Sequence, residues 1–231
     1  MPLNQYQQEV GPSLVDATPG KVPDITLLDG RYCSVEHLTV AEHYEDILDF
    51  YFTNQILSDW TYMYADPFES EEAVRQCLED YEQSSNPYFF AISDKVSGKV
   101  LGTFSLMAIT PKNRSVEMGR VILAPAIKKP RLATEAQYLV MKYVFEGLNY
   151  RRYEWKCDSL NRPSANAAIR LGFTYEGRFR NHAIYKGRSR DTDWFSIIDS
   201  EWPVLKKRFE NWLSPENFDE QGQQKRSLRD C

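Results

Sequence analysis

The sequence has few of the features that mark membrane, secreted or zinc-binding proteins. It has no run of about 18 consecutive apolar residues, the length that a helical membrane span requires. Its first residues lack the basic start and the apolar core of a signal peptide. The four cysteines, at positions 33, 77, 157 and 231, show no paired spacing, which argues against a disulfide framework and against a metal site. We expect a protein of the cytoplasm, with the nucleus as the alternative, that holds no metal and contacts no membrane.

Positive charge is also in short supply. The chain has 28 basic and 33 acidic residues, and its formal net charge is -5. A negative chain is a poor general binder of nucleic acid, because phosphates attract basic surfaces. Neither the P-loop pattern G-x-x-x-x-G-K-[ST] nor the dinucleotide pattern G-x-G-x-x-G occurs. These absences exclude P-loop kinases and GTPases and disfavour a dinucleotide-binding domain.

The length fits one domain with a tail at each end. The chain has 231 residues, 42% of them hydrophobic, and no internal repeat is visible. Its beginning is rich in Gln, Pro and Gly, and its end is polar. We therefore predict a flexible tail over 1–24, one domain over 25–213 and a polar C-terminal tail over 214–231.

Stretches that favour strands alternate with helical patterns along the domain. Apolar residues from Ala136 to Gly147 recur at helical spacing, and the capping-box pair Thr134 and Gln137 predicts a helix start near Thr134. Apolar and charged residues alternate over 152–158, which predicts a strand with one buried face. The other predicted elements are a strand or hairpin over 25–38, helical structure over 40–82, a short helix over 162–172, and strands over 87–94, 98–109, 115–123, 173–185 and 191–199.

The order of these elements predicts the sheet. The strands 115–123 and 152–158 flank the helix that starts near Thr134, and this order predicts a parallel pair with a right-handed crossover. The hairpins before and after the pair predict antiparallel neighbours. The sequence therefore predicts an α/β fold with a single mixed, mostly antiparallel sheet, a central parallel strand pair and flanking helices.

Three cations, Lys128, Lys129 and Arg131, stand at the approach to this helix. The first turn of a helix presents unpaired N–H groups and the positive end of the helix dipole, where phosphates bind. We interpret the turn as a site for a phosphate group. The alternative is a solvated basic turn.

Four motifs, in this order, resemble the GNAT superfamily of acyl-CoA-dependent N-acyltransferases. They are Glu-Met-Gly at 117–119, Ala-Thr-Glu-Ala at 133–136 with Pro125 before it, NRPSANAAIRLGF at 161–173 and EGRFRNHAIYKGRSRD at 176–191. The likeness is greatest to the branch that includes the ribosomal-protein alanine N-acetyltransferases, and it covers roughly residues 25–200. It implies the acyl-CoA N-acyltransferase fold, an N-acetyltransferase, and acetyl-CoA as the co-substrate.

The resemblance places the pyrophosphate of CoA on the basic turn. The family's loop pattern, Gln/Arg-x-x-Gly-x-Gly/Ala, falls on Lys128, Arg131 and Ala133, with arginine where relatives have glycine. Glycine lets the backbone approach the pyrophosphate, whereas arginine either hinders that approach or adds a contact of its own. By the same resemblance, the N–H of Leu123 faces the thioester oxygen, and Asn161 holds the pantetheine arm or braces its turn. The predicted cofactor-binding residues are Leu123, Lys128, Lys129, Arg131, Leu132, Ala133, Thr134 and Asn161.

Glu117 and Ser164 are the candidate catalytic residues. A primary amine must lose a proton before it attacks, and Glu117 is the candidate base, directly or through water. Ser164 is the candidate for contacting or protonating the departing thiolate. Many relatives have a tyrosine acid four residues later, where this chain has Ala168. The alternatives are that Glu117 is an exposed strand carboxylate and that Ser164 caps its helix.

The region 40–82 combines aromatic residues with twelve acidic residues and one basic residue, Arg75. Such a surface suits a cationic amine, for example a basic peptide N-terminus, a polyamine or an amino sugar, and solvated helix faces are the alternative. The candidate acceptor-binding residues are Trp60, Tyr62 and His182, with a structural role as the alternative for the histidine.

The predicted function is transfer of an acetyl group from acetyl-CoA to a primary amine by direct attack. The expected partner is a small-molecule amine or a peptide N-terminus, with no nucleic acid, and the chain is expected to be a monomer or a homodimer. A non-catalytic acyl-CoA-binding module of the same fold is the alternative.

Overall fold

One mixed sheet of eight strands organises the chain. The computed structural model describes residues 1–125, 127 and 130–231, with only the main chain at position 130. The strand order is β1-β2-β3-β4-β5-β6-β8-β7, and only β5 and β6 pair in parallel. The predicted fold class is therefore confirmed. The strands are β1 (Leu27–Asp29), β2 (Cys33–His37), β3 (Tyr88–Asp94), β4 (Val100–Thr110), β5 (Ser115–Leu123), β6 (Arg152–Asp158), β7 (Thr174–Tyr185) and β8 (Arg188–Ile198).

Five α-helices flank the sheet in the described part of the chain. They are α1 (Val40–Leu48), α2 (Glu71–Gln83), α3 (Pro130–Lys142), α4 (Arg162–Leu171) and α5 (Trp202–Leu213). A π-helical turn extends α1 over Asp49–Thr53 and another extends α3 over Tyr143–Gly147. Short 3₁₀ turns cover Leu57–Trp60, Pro215–Asn217 and Leu228–Asp230. The region 40–82 thus contains two helices with a loop between them rather than continuous helix.

The start of α3 differs from the prediction. The capping-box spacing placed it near Thr134, whereas α3 begins at Pro130. Proline favours the first turn of a helix because its φ is already fixed at a helical value. Thr134 lies one turn further in, fully buried, and its Oγ1 accepts a hydrogen bond from Arg170 Nη2 at 2.9 Å. The hydroxyl therefore joins α3 to α4 inside the fold.

Helix α5 was not predicted, although its sequence carries the signal. Trp202, Leu205, Phe209 and Trp212 recur at helical spacing, and all four are buried. They pack in the same core as the apolar face of α3. This amphipathic stretch therefore covers one face of the sheet together with α3.

The sheet has an apolar core on each face. Strand β3 shows both, because alternate side chains of a strand point to opposite faces. Phe90 and Ile92 lie in the main core with α3, α4 and α5, whereas Phe89 and Ala91 lie in a second core with α1 and α2. Helices therefore cover both faces of the sheet.

Both terminal segments make specific contacts with the domain. The Arg114 Nη2 donates to the carbonyl oxygen of Asp16 at 2.7 Å, and the N–H of Gly20 donates to Pro111 at 3.0 Å. At the other end, Phe218 and Leu228 are buried in the main core. Within the described residues, no helix combines the length and the apolar character that a membrane crossing needs.

A buried carboxylate joins α3 to the first hairpin. Glu135 accepts backbone N–H groups from Arg31 at 2.8 Å, Tyr32 at 2.6 Å and Cys33 at 2.8 Å. A Cβ at Gly30 would lie 2.7 Å from the Glu135 carboxyl carbon, so the turn needs glycine to approach so closely. The carboxylate thus fixes the β1–β2 turn against the start of α3.

We predict that Glu135→Ala lowers the free energy of unfolding by about 3 kcal/mol, because three backbone donors lose their acceptor. Urea denaturation followed by circular dichroism measures this change. Glu45→Ala, which removes an exposed carboxylate from α1, is the control and should cost less than about 0.5 kcal/mol. Equal losses for the two variants would show that the carboxylate does not stabilise the turn.

Candidate active site

The parallel strands β5 and β6 separate in the middle of the sheet. Their pairing runs from Ser115 and Arg152 to Met118 and Trp155. Beyond that point β5 pairs only with β4, and β6 pairs only with β8. The sheet therefore opens a cleft between residues 119–123 of β5 and 156–158 of β6.

A bulge in β5 accompanies this separation. Between the pairs Thr103–Ile122 and Ser105–Gly119, β4 has one residue and β5 has two. Arg120 lies in the bulge with a φ of 51°. Bulges bend a strand and increase its twist, so this one turns the end of β5 away from β6.

Leu123 ends β5 at this cleft. The next residue, Ala124, donates its N–H to the carbonyl oxygen of Leu101, at 2.8 Å. Successive N–H groups of an extended strand point to opposite sides, so the N–H of Leu123 points away from β4 and toward the cleft. This orientation suits a donor to a ligand oxygen.

Glu117 lies just before the strands separate, on the face opposite to Val116 and Met118. It is 8% exposed, so the alternative of an exposed strand carboxylate is wrong. Its Oε2 accepts a hydrogen bond from Lys156 Nζ at 2.8 Å, and the same ammonium lies 2.9 Å from Glu154 Oε2. Lys156 Nζ also lies 4.0 Å from the centre of the Trp194 ring. One cation is therefore held between two carboxylates and an indole.

The two carboxyl groups differ in pKa. Burial raises the pKa of Glu117 above its ordinary value, and the Lys156 ammonium opposes this rise without cancelling it. For Glu154 burial has the same direction, but hydrogen bonds from Arg152 and Lys156 outweigh it and lower the pKa. Environments that separate the pKa values of neighbouring acids often mark acid–base sites. Glu117 is therefore the stronger base of the two.

Strand β6 corrects the prediction of a single buried face. Tyr153, Trp155 and Cys157 are buried in the main core, as expected from their alternation. The side chains of Glu154 and Lys156 are also largely covered, each at 15% exposure. Because charges usually indicate solvent, the sequence did not reveal Lys156 as part of the site.

The start of α4 places Asn161 and Ser164 beside the end of β6. The Asn161 side chain accepts the N–H of Ser164 at 3.1 Å and caps the helix, so the alternative of a capping serine is wrong. The Ser164 hydroxyl instead accepts the Trp155 indole N–H at 3.0 Å. Its own proton is not used in that bond. Ala168 is buried, and no acid stands there.

The start of α3 is only partly described. Lys128 and Lys129 lie outside the described residues. The Arg131 guanidinium lies 4.1 Å from the centre of the Tyr32 ring and 4.7 Å from that of Phe218. Within the described part of the chain no acceptor takes its N–H groups. Among the next three predicted cofactor-binding residues, Leu132 and Thr134 are buried and Ala133 is half-buried.

The predicted acceptor residues are spread over two elements. Trp60 is buried between the rings of Tyr51 and Phe68, so its side chain belongs to the second core. Tyr62 is half-buried in the following loop. His182 is exposed on β7, and its Nδ1 lies 3.0 Å from Thr192 Oγ1.

The loop between α1 and α2 meets the β7–β8 hairpin. Lys186 Nζ donates to the carbonyl oxygen of Trp60 at 2.7 Å and lies 3.1 Å from Asp66 Oδ1. The rings of Tyr64 and Tyr185 also lie against each other, with their centres 5.5 Å apart. These contacts hold the loop against the hairpin.

Most acidic residues of the region 40–82 are solvent-exposed. Nine of the twelve lie on the surface. Among these nine, Asp66 forms the described ion pair with Lys186 of the β7–β8 hairpin. The alternative of solvated helix faces therefore describes most of them. The exposed ones are Glu42, Glu45, Asp49, Asp59, Asp66, Glu69, Glu71, Glu72 and Asp80.

A cluster of Glu36, Glu42 and His43 resembles a set of metal ligands in its residue types. The N–H of Thr39 donates to His43 Nδ1 at 3.0 Å, so the neutral ring carries its proton on Nε2. Metal binding at Nε2 would require that nitrogen to lose its proton. The histidine is therefore set up as a donor.

Comparison with known proteins places this geometry in a family. A family model described as acetyltransferase (GNAT) domain matches residues 37–174. The chain belongs to the GNAT family. The crystal structure of a GCN5-related N-acetyltransferase from Brucella melitensis is 43% identical and superposes with a TM-score of 0.90, over 94% of this chain and 98% of that one. This GNAT chain is therefore an acyl-CoA-dependent acetyltransferase that acts on an amine.

Curated relatives agree at lower identity. The uncharacterized N-acetyltransferase p20 of Bacillus licheniformis is 30% identical over 144 residues, which are 61% of this chain and 80% of that protein. A spermidine N(1)-acetyltransferase of Escherichia coli is 23% identical over 141 residues, 61% of this chain and 74% of that one. The curated relatives therefore agree on N-acetyl transfer.

Proposed function

We propose that the chain transfers an acetyl group from acetyl-CoA to a primary amine, with Glu117 as the general base. The observation that carries this proposal is the position of Glu117. A buried carboxyl group of raised pKa lies where β5 and β6 begin to separate. Lys156 engages Oε2, and within the described residues no hydrogen bond engages Oε1. That oxygen is the one that takes the amine proton, directly or through water.

Residues on both sides of the cleft fit CoA. The first turn of α3 begins at Pro130 and leaves the main-chain N–H groups of Arg131 and Leu132 without a partner inside the helix. The dipole of the 13-residue helix favours phosphate there. Arg131 adds a guanidinium that two aromatic rings hold in place and that has no described acceptor. On the other side, Asn161 keeps the α4 turn in shape for the pantetheine arm. The basic turn thus binds the pyrophosphate of CoA through both its backbone N–H groups and the Arg131 side chain.

The chemistry follows from these positions. The amine nitrogen forms a bond to the thioester carbonyl carbon, the C–S bond breaks, and the CoA thiol leaves. The N–H of Leu123 faces the carbonyl oxygen as negative charge develops on it. Glu117 takes the proton that the nitrogen loses. Ser164 stabilises the departing thiolate by a hydrogen bond from its hydroxyl, which only accepts from Trp155, and the sulfur takes its proton from solvent.

We predict that Glu117→Gln lowers kcat by about 100-fold near neutral pH. The loss should shrink as the pH approaches the amine pKa of about 8 to 10, because the free amine then needs no base. Release of free thiol from acetyl-CoA, measured with a panel of amines against pH, tests this prediction. As the pH falls, the activity of the parent enzyme should decline when Glu117 becomes protonated. This decline should occur at a higher pH than the ordinary glutamate pKa, because burial raises the pKa of Glu117.

Glu154→Gln is the matched control, because it removes the neighbouring carboxylate and leaves Glu117. Loss of a negative neighbour lowers the Glu117 pKa, so the acid limb of this variant should move to lower pH. A Glu117→Gln profile identical to that of the parent would remove Glu117 as the base. Tight CoA binding with no amine-dependent thiol release would favour a non-catalytic binding module.

We also predict that Arg131→Met raises the Kd for CoA by about tenfold, the effect of losing one charge-assisted contact to phosphate. Isothermal titration calorimetry measures this change. Lys112→Met, which removes an exposed cation from the β4–β5 turn, is the control and should leave the Kd unchanged. An unchanged Kd for Arg131→Met would assign the guanidinium to packing on Tyr32 and Phe218 alone.

A further inference from the structure

Arg190 is a buried cation beside the proposed amine site. It is 7% exposed and lies on β8, on the same face as Thr192 and Trp194. The pairing of β6 with β8 ends at Asp158 and Thr192, so Arg190 lies just past the end of β6. It therefore stands at the open end of the cleft, on the face that carries Glu117.

The described contacts of Arg190 leave its charge without a counterion. Its Nε donates to Thr192 Oγ1 at 3.0 Å, and its guanidinium lies 5.0 Å and 5.7 Å from the ring centres of Tyr64 and Tyr185. No described carboxylate lies within ion-pair distance of it. The nearby Asp158 already accepts the Tyr185 hydroxyl at 2.8 Å and the N–H of Leu160 at 2.8 Å.

A buried guanidinium with unfilled donors is costly unless an anion completes it. Only Nε of Arg190 has a described acceptor, and the terminal nitrogens are not fully closed to solvent. The guanidinium therefore keeps N–H donors for a group that enters the cleft. The rings of Tyr64 and Tyr185 lie beside the guanidinium and limit its movement, and its planar fork suits two-point binding of an oxyanion.

Glu117 and Arg190 form a complementary pair of charges on one face. The Arg190 charge acts on the Glu117 carboxyl, but the two do not form an ion pair. An amine held near Glu117 would therefore have a cation within electrostatic reach of its other end. A polyamine would place a second positive charge close to this arginine, which is unfavourable.

We propose that Arg190 binds an oxyanion on the acceptor, so that the substrate is a primary amine bearing a carboxylate or a phosphate. This proposal rests on the proposed acetyl transfer and names the class of its acceptor. The amine lies toward Glu117 and the oxyanion toward Arg190. The exposed acids of α1 and α2 take no part in this recognition.

Matched pairs of amines test the proposal. Thiol release is measured with alanine against alaninol, with O-phosphoethanolamine against ethanolamine, and with spermidine. The first pair reports a carboxylate and the second a phosphate. The ratio of kcat/KM within a pair is compared between wild type and variants, which cancels differences in amine basicity.

We expect the wild type to prefer the anionic member of one pair, and Arg190→Gln to reduce that preference roughly 10- to 100-fold. Arg190→Lys keeps the charge without the planar fork, so it should lose less of the preference for the anionic amine. It replaces the glutamine variant if that variant does not fold. Arg188→Gln removes an exposed arginine of the same strand and should keep the wild-type ratio.

An unchanged ratio in the Arg190 variants, or a wild-type preference for spermidine, would overturn the assignment. If no amine releases thiol, the proposed acetyl transfer fails. Calorimetry on the CoA-loaded protein then tests separately whether Arg190 binds an oxyanion. Heat of binding for alanine or O-phosphoethanolamine that disappears in Arg190→Gln would support the oxyanion site. Absence of that heat in the wild type would refute it.

Discussion

The structure depends on the separation of two parallel strands. Strands β5 and β6 share pairs only up to Met118 and Trp155, and each then continues with its outer neighbour. Their backbone groups beyond that point face a cleft instead of each other. Unpaired backbone groups at the middle of a sheet are unfavourable unless a ligand or solvent satisfies them. The proposed mechanism uses this opening, because it draws on the first turns of α3 and α4, the N–H of Leu123 and the carboxyl of Glu117.

Buried charge is the second constraint, and the protein handles it in two ways. On the β6 face, Arg152, Glu154, Lys156 and Glu117 alternate in sign and hydrogen-bond to one another. Each of these charges has a partner of opposite sign. Burial nevertheless raises the pKa of Glu117, because it disfavours the charged form of the carboxyl group. Arg190 is different, since its described neighbours are a hydroxyl and two rings. A charge that the fold leaves uncompensated is a natural place for an ionic substrate group.

The sequence predicted the architecture well because local patterns determine it. The alternation in β6, the helical spacing after Ala136 and the order of strand, helix and strand led to the mixed sheet with its parallel pair. The start of α3 was predicted wrongly because a capping pattern at Thr134 competes with Pro130, and the pattern alone does not show that the threonine is buried.

The site was only partly predictable, because long-range packing builds it. Glu117 and Ser164 stand out through motifs, whereas Lys156 looks like an ordinary surface lysine of an alternating strand. Its contact with Glu117 spans 39 positions of the chain, and its burial depends on β8 supplying Trp194. Trp60 was a candidate acceptor contact because it is one of the aromatic residues among the acids of 40–82, yet it packs against Tyr51 and Phe68. Composition does not distinguish a core tryptophan from a binding one.

A crystal structure with bound CoA tests the central claim most directly, namely that the cleft between β5 and β6 holds the co-substrate. The account predicts the pyrophosphate within about 3 Å of the first N–H groups of α3 and of the Arg131 guanidinium. It also predicts the sulfur between Leu123 and Ser164, with Glu117 on the open side. CoA bound elsewhere, or a pyrophosphate that contacts neither α3 nor Arg131, would contradict it.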